Sequence, residues 1–138
     1  DGANVEIRDL VGPENFYLFG LTEAEVTALQ DSGYSPAFFY ERDPELRRAV
    51  DALSSGTMLG SAAEAGRAVI GRLLEQDPFL VFADYRPYID AQDRVGVDYR
   101  DQDEWSRKAI LNVSRVGFFS SDRAIRDYLE RIWHTQAD

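Results

Sequence analysis

The chain has 138 residues, 44% of them hydrophobic, which is enough apolar surface for the core of one domain or of part of one. Its 25 acidic and 15 basic residues give a net charge of −10, so it lacks the positive charge that attracts nucleic-acid phosphates. The absence of cysteine excludes disulfides, cysteine-ligated zinc and thiol catalysis.

The start of the chain carries neither an initiator methionine nor a secretion signal. Asp1 opens the sequence, and no basic, apolar and small-residue pattern follows it. No apolar run approaches the roughly 18 residues that a membrane-spanning helix needs. The sequence therefore predicts a soluble cytoplasmic protein without membrane or nucleic-acid partners, and its opening suggests the tail of a larger chain.

Two short segments near the start are predicted to be strands. The first covers residues 5–7, and the second is the apolar aromatic run NFYLFG at residues 15–20, which Pro13 and Gly20 bound. A lone strand cannot satisfy its backbone polar groups, so both would need neighbours from outside the chain or from a second copy.

Helices are predicted for most of the remaining chain. N-cap residues mark their starts, as in the capping box of Thr22 and Glu25 and in the Asp43-Pro44 pair. The small-residue run at 54–66 is predicted to be a surface loop. A short aromatic helix around residues 36–40 accompanies roughly six longer helices, at residues 22–32, 44–55, 68–74, 84–98, 101–116 and 121–133.

Lys108 is the only lysine and hence the only side chain that could form a lysine Schiff base. Its context KAILN has the K-x-x-L-N form that ends a pyridoxal-phosphate lysine motif. The glycine-rich turn that would cradle the cofactor phosphate is missing in front of it. We therefore interpret Lys108 as an ordinary surface or ion-paired residue.

The other candidate residues also favour structural interpretations. His134 is the only histidine and lies four residues from the C-terminus, where a solvated side chain is expected. The acidic residues around position 101 lack the spacing of a calcium loop and are interpreted as helix caps and a solvated face. No P-loop, GxGxxG, nucleophile elbow or HExxH is present. The residues alone predict no catalytic, cofactor-binding or metal site.

Two aromatic clusters leave a choice between packing and ligand binding. They lie at residues 16–19 and at residues 38–40. Either cluster could form a surface on which sugar rings stack, but aromatic clusters more often pack in cores and interfaces. Packing is the favoured interpretation for both.

Four sequence blocks, taken together, resemble one enzyme family. They are DGANVEI at residues 1–7, ENFYLFGLT at 14–22, FADYRPYIDAQDRV at 82–95 and EWSRKAILNVSRVGFFSSDRAIRDY at 104–128. Their order and spacing resemble the C-terminal end of the α-glucan phosphorylases, which include glycogen, starch and maltodextrin phosphorylases. The resemblance covers nearly the whole chain, and the loop at 57–66 is the least similar part.

The resemblance implies both an activity and a fold for the parent protein. The parent would release α-D-glucose 1-phosphate from α-1,4-glucan with inorganic phosphate and pyridoxal phosphate, in an allosteric enzyme family of glycogen degradation. Its fold would be α/β, with two Rossmann-like domains of the glycosyltransferase-B-like kind. Residues 1–138 would be the mostly helical C-terminal part of the second domain, with one or two short strands added to its sheet. The last helix, 121–133, would fold back towards the first domain.

The resemblance also implies where the cofactor lysine lies. In the family it belongs to a motif of the form EASGTxNMKxxLN shortly before the DGANVEI block, so it is expected outside this chain and is not Lys108. No catalytic, cofactor-binding or metal residue is carried over. Only structural support beside the cofactor segment is expected, from the residues nearest to it: Asp1, Gly2, Asn4 and Glu6.

The implied partners are the remainder of the phosphorylase chain, α-1,4-glucan and inorganic phosphate, with a homodimer for the parent. The chain by itself would be inactive. One alternative is an autonomously folding helical module that self-associates without catalysis. An unrelated acidic adaptor domain is the other alternative, and it requires the block similarity to be accidental.

Overall fold

A computed structural model of the protein describes residues 2–135. Within that range the chain is mostly helical and no residue lies in a strand. Short 3-10 helices occupy Pro13–Asn15, Gly60–Ala62 and Val116–Phe119, and a π-helix occupies Leu129–Trp133. The α-helices are α1 (Gly2–Val11), α2 (Glu23–Asp31), α3 (Pro36–Arg42), α4 (Pro44–Ser55), α5 (Ala63–Glu75), α6 (Val81–Asp98), α7 (Gln102–Arg115) and α8 (Ser121–Tyr128).

The chain divides into two compact units. We call residues 19–92 the central unit, and residues 1–18 together with 93–138 the terminal unit. The central unit contains α2 to α5 and most of α6, and the terminal unit contains α1, the end of α6, α7 and α8.

The central unit has an apolar core. Leu46 and Val50 of α4 lie four residues apart on one helical face and pack with Ile70 of α5 and Phe82 of α6. All four are less than 7% exposed. Burial of each such side chain contributes about 1.5–3 kcal/mol. Further side chains pack against this cluster: Phe39, Tyr40, Leu53, Leu73, Leu74 and Tyr85.

The terminal unit buries much less apolar surface. Val11 is its one fully buried apolar side chain among the described residues, and it lies beside the buried amide of Asn15. The apolar residues of α7 and of the C-terminal helices are largely exposed instead, at Ile110, Val113, Phe118, Phe119, Ile125, Tyr128, Ile132 and Trp133.

Helix starts follow the predicted caps. Thr22 and Glu25 form the expected capping box, in which the Glu25 carboxylate accepts a hydrogen bond from the Thr22 amide at 2.8 Å. Asp43 caps α4 and Asp101 caps α7, each through its carboxylate. Satisfying the free amides at a helix N-terminus stabilises it by about 0.5–2 kcal/mol per cap.

The strand predicted at residues 5–7 is wrong, because these residues lie inside α1. The alternation of Val5 and Ile7 suggested a strand, but Ile7, Leu10 and Val11 continue the pattern with helical spacing. Gly12, with a φ of 93°, then ends the helix in a conformation that favours glycine.

The second predicted strand is not formed in the described part of the chain. The backbone of Phe16 is extended, with φ −139° and ψ 133°, but residues 16–19 pair with no other segment there. An extended segment becomes a strand only when a neighbour accepts and donates its backbone hydrogen bonds.

Two helix boundaries also differ from the prediction. Helix α5 begins at Ala63, inside the predicted 54–66 loop, since Ala63, Glu64 and Ala65 favour helix once the chain is past Gly60. Helix α6 begins at Val81, three residues before the predicted start at 84. At the C-terminal end, the predicted 121–133 helix is present but changes from α to π at Leu129.

None of the helices in the described part of the chain combines the length and apolar character needed to cross a membrane.

Candidate functional site

Charged and aromatic side chains meet around Lys108 in the middle of α7. The Lys108 Nζ lies 2.5 Å from Oδ2 of Asp98, and the Tyr17 hydroxyl donates to the same oxygen at 2.6 Å. The Lys108 side chain is 14% exposed. The hydrogen bond from Lys108 lowers the pKa of Asp98, and the hydrogen bond to Asp98 raises the pKa of Lys108. Lys108 is therefore held as an ammonium ion.

A pyridoxal-phosphate Schiff base does not fit these surroundings. A Schiff-base lysine attacks the cofactor aldehyde as a free amine, whereas Lys108 is protonated and paired with Asp98. Lys108 also lies within α7, whose interior amides are used in helical hydrogen bonds, and the amide of Glu104 near the helix start is taken by Asp101. The interpretation of Lys108 as an ion-paired residue is confirmed.

A hydrogen-bonded network around Asn15 joins the end of α1 to α7. The side chain of Asn15 is 3% exposed, and its amide donates to the Val11 carbonyl at 2.8 Å. Arg115 donates to the same carbonyl at 2.9 Å, while Arg107 donates to the Asn15 side-chain oxygen at 3.0 Å. Asn112 donates to the Asn15 backbone carbonyl at 2.8 Å. These bonds satisfy carbonyls that would otherwise be unpaired at a helix C-terminus.

An aromatic cleft of about 340 Å³ lies beside this network. Tyr17 and Trp105 stack there with their ring centroids 6.3 Å apart and an interplanar angle of 25°. Tyr99 meets the edge of Trp105 at 5.3 Å. The cleft is lined by Phe16, Tyr17, Trp105, Lys108, Ala109 and Asn112, with Asn15 behind them.

The central unit holds one buried carboxylate at the start of α6. Asp77 is 4% exposed, and its Oδ2 accepts hydrogen bonds from the Tyr34 hydroxyl and the Phe82 amide, each at 2.8 Å. Burial, together with the hydrogen bond to Asp77, raises the pKa of Tyr34 above its usual 10.0. Leu80, between these elements, has a φ of 55°, which is strained for leucine. Asp77 therefore fixes the backbone that begins α6.

A second polar contact in the central unit joins α6 to the start of α4. The Arg86 guanidinium donates to both carboxylate oxygens of Asp43, at 2.7–2.9 Å, and to Glu45 at 2.9 Å. Asp43 thus caps α4 and pairs with Arg86 through the same carboxylate.

The residues predicted to support the cofactor segment lie on or before α1. Asp1 lies outside the described residues, and Gly2 is the first residue of the helix. Asn4 and Glu6 are exposed on α1. Their supporting role stays a prediction.

The remaining candidates have structural roles. His134 is exposed, with φ 51° and its Nδ1 3.1 Å from the Glu130 carbonyl. Glu104 pairs with Arg107 at 2.6 Å, so the acidic residues here act as caps and ion-pair partners. Within residues 2–135, no three acidic or histidine side chains converge as a metal site would require.

Most predicted aromatic packing is present. Phe19 meets Tyr88 at 5.2 Å and Phe38 meets Phe39 at 5.5 Å, both edge to face. Tyr17 differs, because it packs on Trp105 at the wall of an open cleft.

Sequence reasoning missed the network around Asn15 and the pair formed by Tyr34 and Asp77. The only local signal was the position of each polar residue beside an apolar segment and a proline, at Pro13 and Pro78. The partners lie 43 to 104 positions away along the chain, so no local pattern reveals them.

Together these features define a largely helical segment whose polar clusters hold its helices together. Residues 1–135 match the family model for carbohydrate phosphorylases. The chain is 50% identical over 133 residues to a glycogen phosphorylase of Synechocystis sp.. It is 45% identical to the brain form of glycogen phosphorylase of Mus musculus and 41% identical to the muscle form of Homo sapiens.

The chain belongs to the carbohydrate phosphorylase family. Each of these alignments covers 96% of this chain but only 16% of the relative. The chain therefore spans about one sixth of the length of the phosphorylases that it matches. The match also removes the unrelated acidic adaptor as an alternative.

Proposed function

We propose that this chain is the C-terminal part of the second Rossmann-like domain of an α-glucan phosphorylase. The parent would cleave α-1,4-glucan with inorganic phosphate and release α-D-glucose 1-phosphate in the cytoplasm, as a homodimer. The observation that carries the proposal is the family match over residues 1–135 together with 41–50% identity to glycogen phosphorylases.

In this proposal the chain supplies scaffold rather than chemistry. Pyridoxal phosphate, when bound in the parent, would supply a phosphate group for proton transfer and charge stabilisation at the substrate phosphate. The family resemblance implies that the lysine that holds it would lie before Asp1, and the ion pair of Lys108 with Asp98 supports a structural role for Lys108. The network around Asn15 holds α1 on α7, so it would keep the chain next to the cofactor segment in a fixed position.

The exposed apolar faces of the terminal unit support a covering role for the rest of the parent. Ile125, Tyr128 and Ile132 form a stripe with helical spacing near the C-terminal end, and each is about half exposed. Apolar area of this kind is normally removed from water by a partner surface. Residues 121–133 would pack towards the first domain, and residues 16–19 would gain strand neighbours in the sheet of the second domain.

The proposal is tested with two preparations. The chain alone is assayed for glucose 1-phosphate release from maltodextrin and for a cofactor absorbance band, and the same assays are made on the chain joined to the preceding phosphorylase segments. We expect activity and absorbance only in the longer protein. Phosphorolysis by the chain alone, or an inactive longer protein that is folded, would contradict the proposal.

A second test, made on the chain alone, measures whether Lys108 reacts with pyridoxal phosphate. After incubation with pyridoxal phosphate and borohydride reduction, peptide mass spectrometry measures the pyridoxyl adduct at the single lysine. We expect less adduct on Lys108 in the folded chain than in urea, because the ion pair with Asp98 withholds the free amine. Preferential labelling in the folded state would place the cofactor on Lys108 and contradict the assignment.

A second candidate is a module that folds by itself and self-associates. The large exposed apolar residues of α7 and α8 favour it, because two copies could cover each other's faces. Sedimentation of the chain over a range of concentrations decides the point. A monomer at all concentrations would exclude this candidate.

A further inference from the structure

We propose that a groove beside the start of α6 binds a small molecule that carries a quaternary ammonium group, of the kind found in choline. The groove belongs to the central unit alone. It has a volume of about 300 Å³ and is lined by four aromatic side chains, one valine and one carboxylate: Phe19, Phe79, Val81, Asp84, Tyr85 and Tyr88. The proposal goes beyond phosphorolysis and does not depend on it.

The aromatic walls of the groove suit a cation. The rings of Phe19 and Tyr88 have centroids 5.2 Å apart and an interplanar angle of 65°, so they form two sides of a corner. Phe79 is 81% exposed, more than any other large apolar side chain in the described part of the chain. A cation within about 6 Å of a ring face is attracted by the electrons of the ring, and cages of several rings bind quaternary ammonium groups.

A strained turn places two of the lining residues at the mouth of the groove. Leu80 has a φ of 55° and is 4% exposed, whereas its neighbours Phe79 and Val81 are 81% and 46% exposed. The Asp77 carboxylate fixes this turn by accepting a hydrogen bond from the Phe82 amide. Backbone strain of this kind clusters at ligand sites, where the rest of the fold holds side chains in place.

One carboxylate gives the groove a negative charge. Oδ1 of Asp84 accepts a hydrogen bond from the Leu21 amide at 3.2 Å, and no donor within residues 2–135 contacts its Oδ2. The Arg86 guanidinium does not cancel this charge, because it is paired with Asp43 and Glu45. The groove therefore attracts a cation and repels an anion.

The groove favours a quaternary ammonium group over a primary one. A primary ammonium has three N–H donors, and each loses a hydrogen bond to water when it enters an apolar site without a partner. Five of the six lining side chains offer mainly apolar surface, and Asp84 has one free oxygen. A quaternary ammonium has no N–H group, so its methyl groups can lie against the rings while its charge faces Asp84.

Amide chemical shifts measured by NMR test the proposal directly. Titration of the isotope-labelled chain with choline is expected to shift the amides of residues 79–88 saturably. The dissociation constant should be on the order of millimolar, because few contacts are made. The comparison ligand is dimethylbutanol, the neutral analogue of choline in which carbon replaces nitrogen. We expect it to bind about fivefold more weakly, since it has the same shape without the charge.

Two substitutions with matched controls separate the aromatic and charged contributions. Phe79→Leu removes an exposed ring and should weaken choline binding about fivefold, whereas Phe38→Leu, at a 50% exposed ring outside the groove, should change it less than about twofold. Asp84→Asn keeps an acceptor for the Leu21 amide and should weaken choline binding about threefold without changing that of dimethylbutanol. Asp90→Asn removes the same charge from an exposed site of α6 and should have little effect.

The same titration is made on the chain joined to the preceding phosphorylase segments. Strand neighbours of residues 16–19 would pair with the backbone there, whereas the ring of Phe19 stays on Tyr88. We therefore expect the affinity for choline to agree within about twofold in the two proteins.

Several outcomes would overturn the inference: no saturable response to choline, equal binding of dimethylbutanol, an equal loss in a groove variant and its control, or loss of binding in the longer protein. Binding of a trimethyllysine peptide without binding of choline would also overturn it, because the ligand would then be a protein segment. Far-UV circular dichroism checks that each variant keeps its helix content, and Phe79→Met replaces Phe79→Leu if it does not. The titration uses neither glucan nor phosphate, so its failure leaves the proposed phosphorolysis untouched.

Discussion

The central and terminal units are held together by different interactions. The central unit packs Leu46, Val50, Ile70 and Phe82 into one apolar cluster. The centre of the terminal unit is instead formed by Asn15 and its hydrogen-bonding partners, and Val11 is the one buried apolar side chain among the described residues of that unit. Hydrophobic burial is the main source of folding free energy, whereas a hydrogen bond contributes only about 0.5–1.5 kcal/mol net. The central unit is therefore the more self-sufficient of the two.

The largest expected effect comes from a substitution in the core of the central unit. Leu46→Ala removes a side chain that is 4% exposed and should lower the free energy of unfolding by about 2–5 kcal/mol, through lost burial and the cavity left behind. Urea unfolding followed by hydrogen exchange of the α4 and α5 amides measures it. Val69→Ala, at a 58% exposed site on α5, is the control and should change stability by less than about 0.5 kcal/mol.

The next largest effect is expected from a substitution in the hydrogen-bonded network around Asn15 in the terminal unit. Asn15→Leu removes one of the two acceptor side chains of Arg107, leaving Glu104, and removes one donor from the Val11 carbonyl, so we expect a loss of about 1–3 kcal/mol. Faster exchange of the α1 amides reports it, with α4 unchanged. Asn4→Leu, at an exposed position of α1, is the matched control. An equal loss of stability from both substitutions would show that the buried network does not stabilise the terminal unit.

A smaller effect separates two roles of Asp43 in the central unit. Asp43→Ala removes both the helix cap and the partner of Arg86, and the cap alone contributes about 0.5–2 kcal/mol. Asp43→Asn keeps a capping oxygen and loses the ion pair, so it should cost less than the alanine change. Thermal unfolding compares the two variants. Equal losses of stability in the two variants would mean that Asp43 stabilises the unit mainly through the ion pair with Arg86 and not through the helix cap.

The smallest effect concerns the pH dependence of the Lys108 and Asp98 pair. Because the pKa of Asp98 is lowered from 3.8, its contribution is present above pH 3.8 and is lost as the pH falls through the lower folded value. Lys108 has a raised pKa, so its contribution is full below 10.5 and is lost as the pH rises through the higher folded value. Lys108→Met should flatten both limbs of a stability profile measured by thermal unfolding. Unchanged acid and alkaline limbs would contradict the assignment.

Local rules located capped helix starts in both units, but they did not reveal the long-range contacts of the terminal unit. Thr22, Asp43 and Asp101 each marked a helix start correctly, because an N-cap acts on amides two or three residues away. The strand at residues 5–7 was predicted from three residues alone. Ile7 and Val11 lie four residues apart, as on one face of a helix, and the segment is part of α1. The contacts of Asn15 depend on residues of α7 far along the chain, which no local pattern encodes.

Hydrogen exchange on the chain alone, compared with the chain joined to the preceding phosphorylase segments, tests the central claim most directly. We expect the amides of α4 and α5 to be protected in both proteins, because their core is complete. The amides of α7 and α8 should exchange quickly in the chain alone and become protected in the longer protein, where their exposed apolar faces are covered. Equal protection of α7 and α8 in the two proteins would contradict the account.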